Sequence, residues 1–147
     1  MHILDTNHCV FLMNGLSKVA KGLTPQSQNT VAKYLALSEP IHVCKITIAE
    51  LYYGAFKSDP ARIAENLNRL EIFKNSVNVL PLENGILKLF AQKRVILEKA
   101  GNGMQDFDLL IGCTAIFHQA TLATNDAVFA RLTPELIVDD WSVSPTP

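Results

Sequence analysis

The sequence predicts an α/β fold, a three-layer α/β/α sandwich around a short, mostly parallel sheet. Short apolar or β-branched runs alternate with longer stretches of helical character along the 147 residues. Strands that alternate with helices are typical of a parallel sheet covered by helices on both faces. The length is that of one domain, and the chain contains no internal repeat and no linker.

The first third of the chain is expected to supply two strands and two helices. The apolar residues 2–4 predict a strand that runs directly into polar residues. Residues 6–14 predict a helix that ends at Gly15, because glycine suits the left-handed position after a helix. A second helix is predicted over 26–37. The run IHVCKI at 41–46 has the length and the β-branched content of a strand.

The middle of the chain predicts three helices and one strand. TIAELYYGAF at 47–56 follows the second strand as a helix. An Asp-Pro pair then opens a helix over 59–73, with the aspartate as N-cap and the proline in the first turn. Residues 77–80 predict the third strand. A long helix over 83–100 is expected to end at the Gly-Asn-Gly that follows it.

The last third of the chain predicts the remaining two strands. A helix over 106–119 begins with two aspartates, and short strands over 121–124 and 136–140 flank a small helix. The domain is therefore expected to span residues 1–141. The proline-bearing segment 142–147 is expected to be a mobile tail.

The composition narrows the classes of function. Net charge is −1, from 13 basic and 14 acidic residues, so the whole protein has no electrostatic pull toward nucleic acid or an anionic membrane. No run approaches the ~20 apolar residues of a membrane span, and the N-terminus lacks the pattern of a signal peptide. A cytoplasmic protein is expected.

The cysteines and histidines do not predict a zinc site. Cys9, Cys44 and Cys113 are odd in number, far apart and without a C-x-x-C pair, so we expect buried thiols in a reducing compartment. The four histidines lack the H-E-x-x-H spacing of a zinc-binding helix.

Acidic residues at element boundaries each have a purely local explanation. Asp5 follows the first strand and is a favoured residue for capping the next helix. Thr47 and Glu50 have the spacing of a capping box, in which Glu50 would bond back to the backbone of Thr47. Asp126 could cap the last short helix, and the two aspartates that open the 106–119 helix favour the positive end of its dipole. Taken singly, each acid leaves the local and the functional role equally open.

The positions of these acids together favour a shared site. Asp5, Glu50 and Asp126 each lie just past a predicted strand or in the first turn of the next helix. Asp108 opens a helix beside the same edge. The carboxyl ends of parallel strands meet at one edge, so four carboxylates there would raise one another's pKa. A divalent cation relieves that repulsion, oxygen-only ligands suit Mg²⁺ or Mn²⁺, and such an ion activates water for phosphodiester hydrolysis.

Four segments carry a resemblance to a known family. They are ILDTN at 3–7, AELYYG at 49–54, DFDLLI at 106–111 and TNDAVFAR at 124–131. In this order and spacing they resemble the four signatures of the PIN-domain family, and more narrowly the VapC-type toxins of bacterial toxin–antitoxin pairs. The resemblance covers nearly the whole chain, and it implies a PIN-like fold and a ribonuclease that uses Mg²⁺ or Mn²⁺.

The resemblance assigns the metal-binding and catalytic acids residue by residue. Asp5 matches the family's first acid and Glu50 matches the second. Asp108 matches the acid directly before the Leu-Leu-Ile run, and Asp126 matches the fourth, which varies between Asp and Asn in the family. Asp106 is an extra acid at a less regular position, for which an outer-shell or capping role is favoured over that of a ligand.

Polar neighbours of the acids are expected to support the site. These are Thr6 and Asn7 after the first acid, and Thr124 and Asn125 before the fourth. For Thr124 and Asn125, a role as turn residues is equally open. The sequence departs from the family at GCTA, 112–115, where alanines are usual; small residues are kept, so packing of this helix on the sheet is expected to survive.

The resemblance also implies protein partners. A VapC-type protein is expected to pair with a small antitoxin, a segment of which covers a groove between the early helices and directs an arginine toward the acids. Leu51 and Phe56 are expected to pack inside, and one of the adjacent residues Tyr52 and Tyr53 to reach the surface. A two-fold homodimer is expected as well. The candidate groove residues are Val10, Phe11, Met13, Tyr52, Tyr53 and Phe56.

An RNA substrate requires positive charge near the scissile phosphate. The family's substrates are structured RNAs such as tRNA and ribosomal RNA, and no residue of this sequence chooses among them. Single-stranded loops are the usual targets, because their bases can be splayed out. The candidate cations are Lys45, Lys57, Lys88, Lys93, Arg94 and Arg131.

Three alternative functions are weighed against the ribonuclease. A phosphatase with an aspartyl nucleophile needs D-x-D after the first strand, and here that stretch is Asp5-Thr6-Asn7. A nucleotide-binding module needs a glycine-rich loop that is absent there. A catalytically degenerate PIN domain, acting only as an RNA- or protein-binding module, is disfavoured because all four acids are present.

Overall fold

The computed structural model describes residues 1–17 and 23–144. Within these ranges five strands form a single sheet in the order β3-β2-β1-β4-β5, and every neighbouring pair is parallel. The strands are β1 His2–Leu4, β2 Ile41–Cys44, β3 Asn78–Leu80, β4 Thr121–Ala123 and β5 Ile137–Asp139. The predicted α/β fold is confirmed, and the central strand is the first one in the chain.

Six α-helices cover the sheet in the described part of the chain. Two short 3₁₀ helices, Pro60–Arg62 and Ala127–Leu132, complete the pattern. The α-helices are α1 Thr6–Leu16, α2 Pro25–Ala36, α3 Lys45–Lys57, α4 Ile63–Ser76, α5 Asn84–Lys99 and α6 Asp106–Phe117.

The core has two halves, one on each face of the sheet. Ile3 of β1 packs with Leu109 of α6 in one cluster, whereas the next residue, Leu4, packs with Leu12 of α1 and Trp141 in the other. Successive side chains of a strand point to opposite faces, so β1 contributes to both halves. The three-layer arrangement follows from this burial of the sheet on both sides.

The second strand is shorter than predicted, and the helix after it begins earlier than predicted. The strand predicted over 41–46 ends at Cys44, and α3 begins at Lys45 with Cys44 as its N-cap. Thr47 therefore lies inside the helix, where its buried hydroxyl has no hydrogen-bond partner among the described residues. The predicted capping box between Thr47 and Glu50 is wrong, because the N-cap position is taken by Cys44 rather than by Thr47.

Gly15 does not end the first helix. Helix α1 continues to Leu16. A Cβ atom at Gly15 would lie 2.3 Å from Cγ2 of Val31 and 3.0 Å from the carbonyl oxygen of Ser27. The glycine thus permits a close approach of α1 and α2. A left-handed glycine does follow α5, where Gly101 has φ +67°.

The described chain end packs on the domain. Ser142 is 7% exposed, and its carbonyl oxygen accepts a hydrogen bond from the Asn29 side chain at 2.9 Å. Ser142, the first residue of the predicted tail, is thus in contact with the domain; the boundary at residue 141 itself stays a prediction. Residues 145–147 of the predicted tail lie outside the described residues; mobility of the tail stays a prediction.

The three cysteines are free and buried, as predicted. In the described ranges, no helix combines the length and the apolar character needed to cross a membrane.

Candidate active site at the carboxyl edge of the sheet

The topology brings the predicted acids to the edge formed by three adjacent strands. Asp5 directly follows β1, Asp126 lies shortly after β4, and Glu50 lies on the helix that follows β2. Strands β2, β1 and β4 are neighbours in the sheet. Asp108 is in the first turn of α6, which packs beside α3.

Asp5 is buried, and hydrogen bonds from the first turn of α1 hold its side chain. Its side chain is the N-cap of α1, and Oδ1 accepts the backbone N–H of His8 at 2.8 Å. The same oxygen lies 3.1 Å from Nδ1 of the His8 ring. The predicted capping role is confirmed, and it does not exclude a role in a metal site because a carboxylate has a second oxygen.

Glu50 is positioned from the first helix. The Thr6 hydroxyl donates a hydrogen bond to Oε1 of Glu50 at 2.6 Å. This bond joins the first turn of α1 to α3 across 44 residues of sequence. Thr6, one of the predicted supporting residues, thus orients the second acid.

Asp126 caps the second 3₁₀ helix, as its sequence position suggested. Its Oδ1 accepts the backbone N–H of Val128 at 3.0 Å. Its own backbone N–H donates to the hydroxyl of Thr124 at 3.0 Å, so Thr124 shapes the turn that presents the acid. Asn7 and Asn125, the other predicted supporting residues, are exposed.

The four acids are close enough for the charges of three of them to act on the fourth, Asp108. Burial raises the pKa of the Asp108 carboxyl above its ordinary value. The negative charges of Asp126, Glu50 and Asp5, in that order, raise this pKa further. In the described part of the chain, no lysine or arginine forms an ion pair with any of the four acids.

Asp106 belongs to a different set of contacts. Its carboxylate lies 3.3 Å from Nη1 of Arg94, and its side chain is 53% exposed. The charges that raise the Asp108 pKa do not include that of Asp106. Asp106 is thus paired with a cation, whereas Asp108 lies within the influence of the other three acidic charges. The choice of Asp108 rather than Asp106 as the metal ligand stays a prediction.

The donor chemistry of the four acids suits a hard divalent cation, because all of its ligands would be carboxylate oxygens. The raised pKa of Asp108 and the absence of a described cationic partner point to the same need for positive charge. As the side chains stand, no group of three or more acids, histidines or cysteines among the described residues is arranged to hold an ion. Binding would therefore bring the carboxylates closer together.

An open cleft of about 970 Å³ lies beside these acids. Glu50, Asp106 and Asp108 line its acidic side, and Arg131 lines it as well. The Arg131 guanidinium donates to the carbonyl oxygen of Gly103. Phe107, between the two aspartates of α6, also lines the cleft and is 48% exposed. The cleft thus combines carboxylates with a cation and an accessible aromatic ring.

The other predicted cations are occupied or lie elsewhere. Lys93 pairs with Glu135, and Arg94 pairs with Glu98 at 2.8 Å. The ammonium group of Lys57 lies over the Tyr53 ring, 5.6 Å from its centroid. Of the six candidate cations, Arg131 is the one found in the described lining of the cleft.

A second, more apolar groove begins at the acids and runs between α1, α3 and α4. It encloses about 280 Å³, and Thr6 and Glu50 form its end nearest the acids. Val10 and Met13, two of the candidate groove residues, line it. A further cavity of about 250 Å³ shares Met13 and Arg69 with this groove and continues it along α1 and α4.

The remaining predicted groove residues lie outside this lining. Phe11 packs edge-on against the His8 ring, with 5.6 Å between centroids. The Tyr52 hydroxyl donates to Glu71 at 2.6 Å. Tyr53 is 66% exposed, so one of the two tyrosines does reach the surface, as predicted. Phe56 is 62% exposed, and the expectation that it packs inside is wrong, because it lies on the outer face of α3.

His8 is a residue that the sequence did not indicate. Its ring is fully buried between Asp5 and the chain that follows β5. A signal was present: a polar residue stands three positions after Asp5, at the start of an otherwise apolar helical stretch. A lone histidine matches no zinc-binding spacing, so the sequence pattern gives this residue no functional role.

A family model and curated relatives match this chain over most of its length. The model of the PIN domain matches residues 3–133. Ribonuclease VapC2 of Rickettsia felis is 30% identical over 141 residues, which cover 96% of this chain and 98% of that protein.

Solved structures of VapBC proteins have a similar fold. VapBC2 from Rickettsia felis, crystallised with a DNA fragment from their promoter, has a TM-score of 0.76 at 31% identity, covering 95% of this chain and 98% of that one. VapBC-1 from nontypeable Haemophilus influenzae has a TM-score of 0.78 at 27% identity, covering 97% and 98%.

Proposed function

The chain belongs to the PIN-domain family, in its VapC group, and from this membership we propose that it is a Mg²⁺- or Mn²⁺-dependent endoribonuclease toxin that a cognate antitoxin neutralises. The observation that carries the proposal is the set of four carboxylates at the sheet edge. Burial raises the pKa of Asp108, the charges of the other three acids raise it further, and no lysine or arginine of the described chain pairs with any of the four. A bound cation would relieve the repulsion that acts on Asp108 and favour its ionised form.

The proposed metal ligands are Asp5, Glu50, Asp108 and Asp126. When bound, the ion polarises a phosphoryl oxygen and lowers the pKa of a coordinated water, which suits hydrolysis of an RNA phosphodiester bond. Thr6 holds Glu50 in place by its hydrogen bond. Each acid thus keeps a fixed backbone position while its free oxygens remain available to the ion.

The cleft beside the acids suits a single-stranded segment of RNA. Phe107 presents an accessible ring on which a base can stack, a contact worth about 1–3 kcal/mol. Arg131 supplies positive charge for a phosphate in a protein whose net charge is −1. We expect an unpaired loop of a structured RNA to enter this cleft. The choice between tRNA and ribosomal RNA stays a prediction of the family resemblance.

The groove beside α1, α3 and α4 suits an amphipathic segment of the antitoxin. It is lined mainly by apolar groups such as Val10 and Met13, and it opens at Glu50. The relatives from Rickettsia felis and Haemophilus influenzae were solved as VapBC proteins, which supports an antitoxin as the partner. An arginine from that segment would pair with Glu50 in bidentate fashion. A two-fold homodimer also stays a prediction.

A cleavage assay on total RNA tests the proposed function. We expect no cleavage in EDTA, cleavage on addition of Mg²⁺ or Mn²⁺, and none with Asp5→Asn under any of these conditions. Full activity without metal would contradict the proposal. RNA binding without cleavage, in the presence of metal, would favour the degenerate PIN domain instead. Hydrolysis of a simple phosphate monoester with RNA left intact would favour the phosphatase.

A further inference from the structure

A buried histidine joins the first acid to the far end of the chain. His8 is in the first turn of α1, and its side chain has no exposed surface. Nδ1 lies 3.1 Å from Oδ1 of Asp5. On the other side of the ring, the backbone N–H of Trp141 donates to Nε2 at 3.1 Å, across 133 residues of sequence.

These two contacts determine which ring nitrogen carries the proton. A backbone N–H can only donate, so Nε2 must accept and is unprotonated. The proton of the neutral ring is therefore on Nδ1, where it is donated to Asp5. Oδ1 of Asp140 lies 3.4 Å from Nε2. That oxygen already accepts from the backbone N–H of Ser142 at 2.8 Å and from its hydroxyl at 2.6 Å.

The histidine determines how Asp5 is presented. Oδ1 of Asp5 accepts two hydrogen bonds, from the backbone N–H of His8 and from Nδ1 of the same residue. Both of its lone-pair positions are then used. Oδ2 remains as the oxygen available to a metal ion. We propose that His8 is a positioning residue for the active site, which fixes Asp5 by one oxygen and reserves the other for the metal; this inference rests on the proposed function.

A neutral donor is suited to this position. Asp5 is 4% exposed, and a buried carboxylate oxygen without a donor is strongly destabilising. A lysine or arginine would satisfy it, but its positive charge would repel the divalent cation. A neutral imidazole supplies the hydrogen bond without that charge. The opposite end of the ring is anchored by Trp141, a 1% exposed residue of the core, so the ring cannot turn away.

Two substitutions at His8 separate positioning from packing. The side-chain amide of His8→Asn can occupy the place of Nδ1 and donate to Asp5, while the contact with Trp141 is lost. The longer side chain of His8→Gln can reach the place of Nε2 and accept from Trp141, while the donor to Asp5 is lost. Both variants remove one hydrogen bond from the same buried site, so they are matched for the number of side-chain hydrogen bonds lost. Circular dichroism and thermal melts establish that each is folded.

The decisive measurement is Mn²⁺ affinity without RNA, by calorimetry and by electron paramagnetic resonance. We expect His8→Gln to bind Mn²⁺ about 10–100-fold more weakly than the wild type, the usual effect of losing an outer-shell partner, and His8→Asn to recover most of that loss. Equal losses in both variants, or a larger loss in His8→Asn, would mean that the histidine only holds the fold together. An unchanged affinity in His8→Gln would also overturn the inference.

The wild-type protein gives an independent reading if the variants do not fold. Nitrogen-15 NMR of the imidazole distinguishes the two neutral tautomers. We expect a proton on Nδ1 and none on Nε2, both before and after addition of Mg²⁺; a proton on Nε2 would contradict the inference. A wild-type protein that binds no Mn²⁺ at all would contradict the proposed function itself, and the NMR result would still test the hydrogen bond to Asp5.

Discussion

Among single residues, Asp108 shows most directly how a cluster of acids affects the pKa of one member and the stability of the fold. Its pKa is raised first by burial and then by the charges of Asp126, Glu50 and Asp5. The folded apo protein therefore keeps the Asp108 proton at pH values where the unfolded chain has released it. Stability from this group is present below the ordinary pKa of 3.8 and is lost as pH rises through the raised folded value.

This linkage gives a prediction for Asp108→Asn in the absence of metal. Asparagine resembles the protonated acid and carries no charge, so in EDTA at neutral pH the variant is expected to melt at a higher temperature than the wild type. The difference should shrink as pH is lowered towards 3.8. Calorimetric melts across this pH range provide the measurement. A variant that melts lower at neutral pH would show that Asp108 is needed chiefly for its place in the first turn of α6.

The pair Asp106 and Asp108 provides a matched test of activity. Both lie in the first turn of α6, so each substitution by asparagine loses a similar helix-dipole contribution, about 0.3–1 kcal/mol. Asp108→Asn removes a proposed metal ligand and should reduce kcat/KM by more than the roughly 10–100-fold typical of an outer-shell partner. Asp106→Asn removes the ion pair with Arg94 and no proposed metal ligand, so its effect should be much milder. Equal losses in the two variants would show that Asp106 is a ligand after all.

At the scale of secondary-structure elements, two helical glycines differ in the space around them. Gly15 lies where α1 meets α2, and an added Cβ would be 2.3 Å from Val31 and 3.0 Å from a backbone oxygen of Ser27. Gly54 of α3 has nothing within 4 Å of an added Cβ. The same substitution should therefore change stability in opposite directions.

Gly54→Ala is expected to raise the free energy of unfolding by roughly 0.5–1 kcal/mol, because alanine loses less backbone entropy in a helix. Gly15→Ala is expected to lower it, because overpacking costs about 1–3 kcal/mol and the backbone of Ser27 cannot move aside as a side chain can. Urea unfolding in EDTA measures both. Stabilisation by Gly15→Ala would mean that α1 and α2 pack less closely than the structure describes.

The elements also show what could be predicted from the sequence and why the rest could not. The order of strands and helices followed from apolar periodicity, and the edge position of the acids followed from that order. The strand predicted for the run IHVCKI extended two residues too far. A lysine followed by an isoleucine fits the end of a strand as well as the first turn of a helix, so the pattern could not place the boundary before Lys45. The role of His8 could not be found, because its partner Trp141 is 133 residues away in sequence and only the fold brings the two together.

At the scale of the whole molecule, the strand order links the active site to the partner surface. Strand β1 is central, and β2 and β4 flank it, so the elements that follow these strands leave from one edge. Helices α1 and α3, which carry Asp5 at the N-cap and Glu50, also form the walls of the apolar groove. A segment bound in that groove would therefore end beside the proposed metal ligands, which would explain how one partner could both bind tightly and block the proposed chemistry.

The last prediction concerns this groove. Met13 lies in both of its cavities, so Met13→Asp should place a charge against the apolar face of the antitoxin and weaken binding by at least about ten-fold, as expected for a central interface residue. Ile137→Asp, at a 62% exposed position on β5, is the control for an added negative charge away from the groove and should leave antitoxin binding unchanged. Because Met13 is partly buried against the core, thermal melts establish that Met13→Asp is folded. Tyr53→Asp measures how far the contact extends over the outer face of α3, where the sequence had placed it.

Binding is measured by co-purification of the tagged chain with the product of the neighbouring gene, followed by titration calorimetry. Ribonuclease activity of each free variant is the second readout, because none of the three residues belongs to the acid site. The expected outcome is that Met13→Asp still cleaves RNA but escapes inhibition, so that its expression with the antitoxin arrests growth while the Ile137→Asp variant stays harmless. If Met13→Asp remains fully inhibited, the antitoxin does not use the groove between α1, α3 and α4, and the blocking segment must approach the acids from the cleft lined by Phe107 and Arg131.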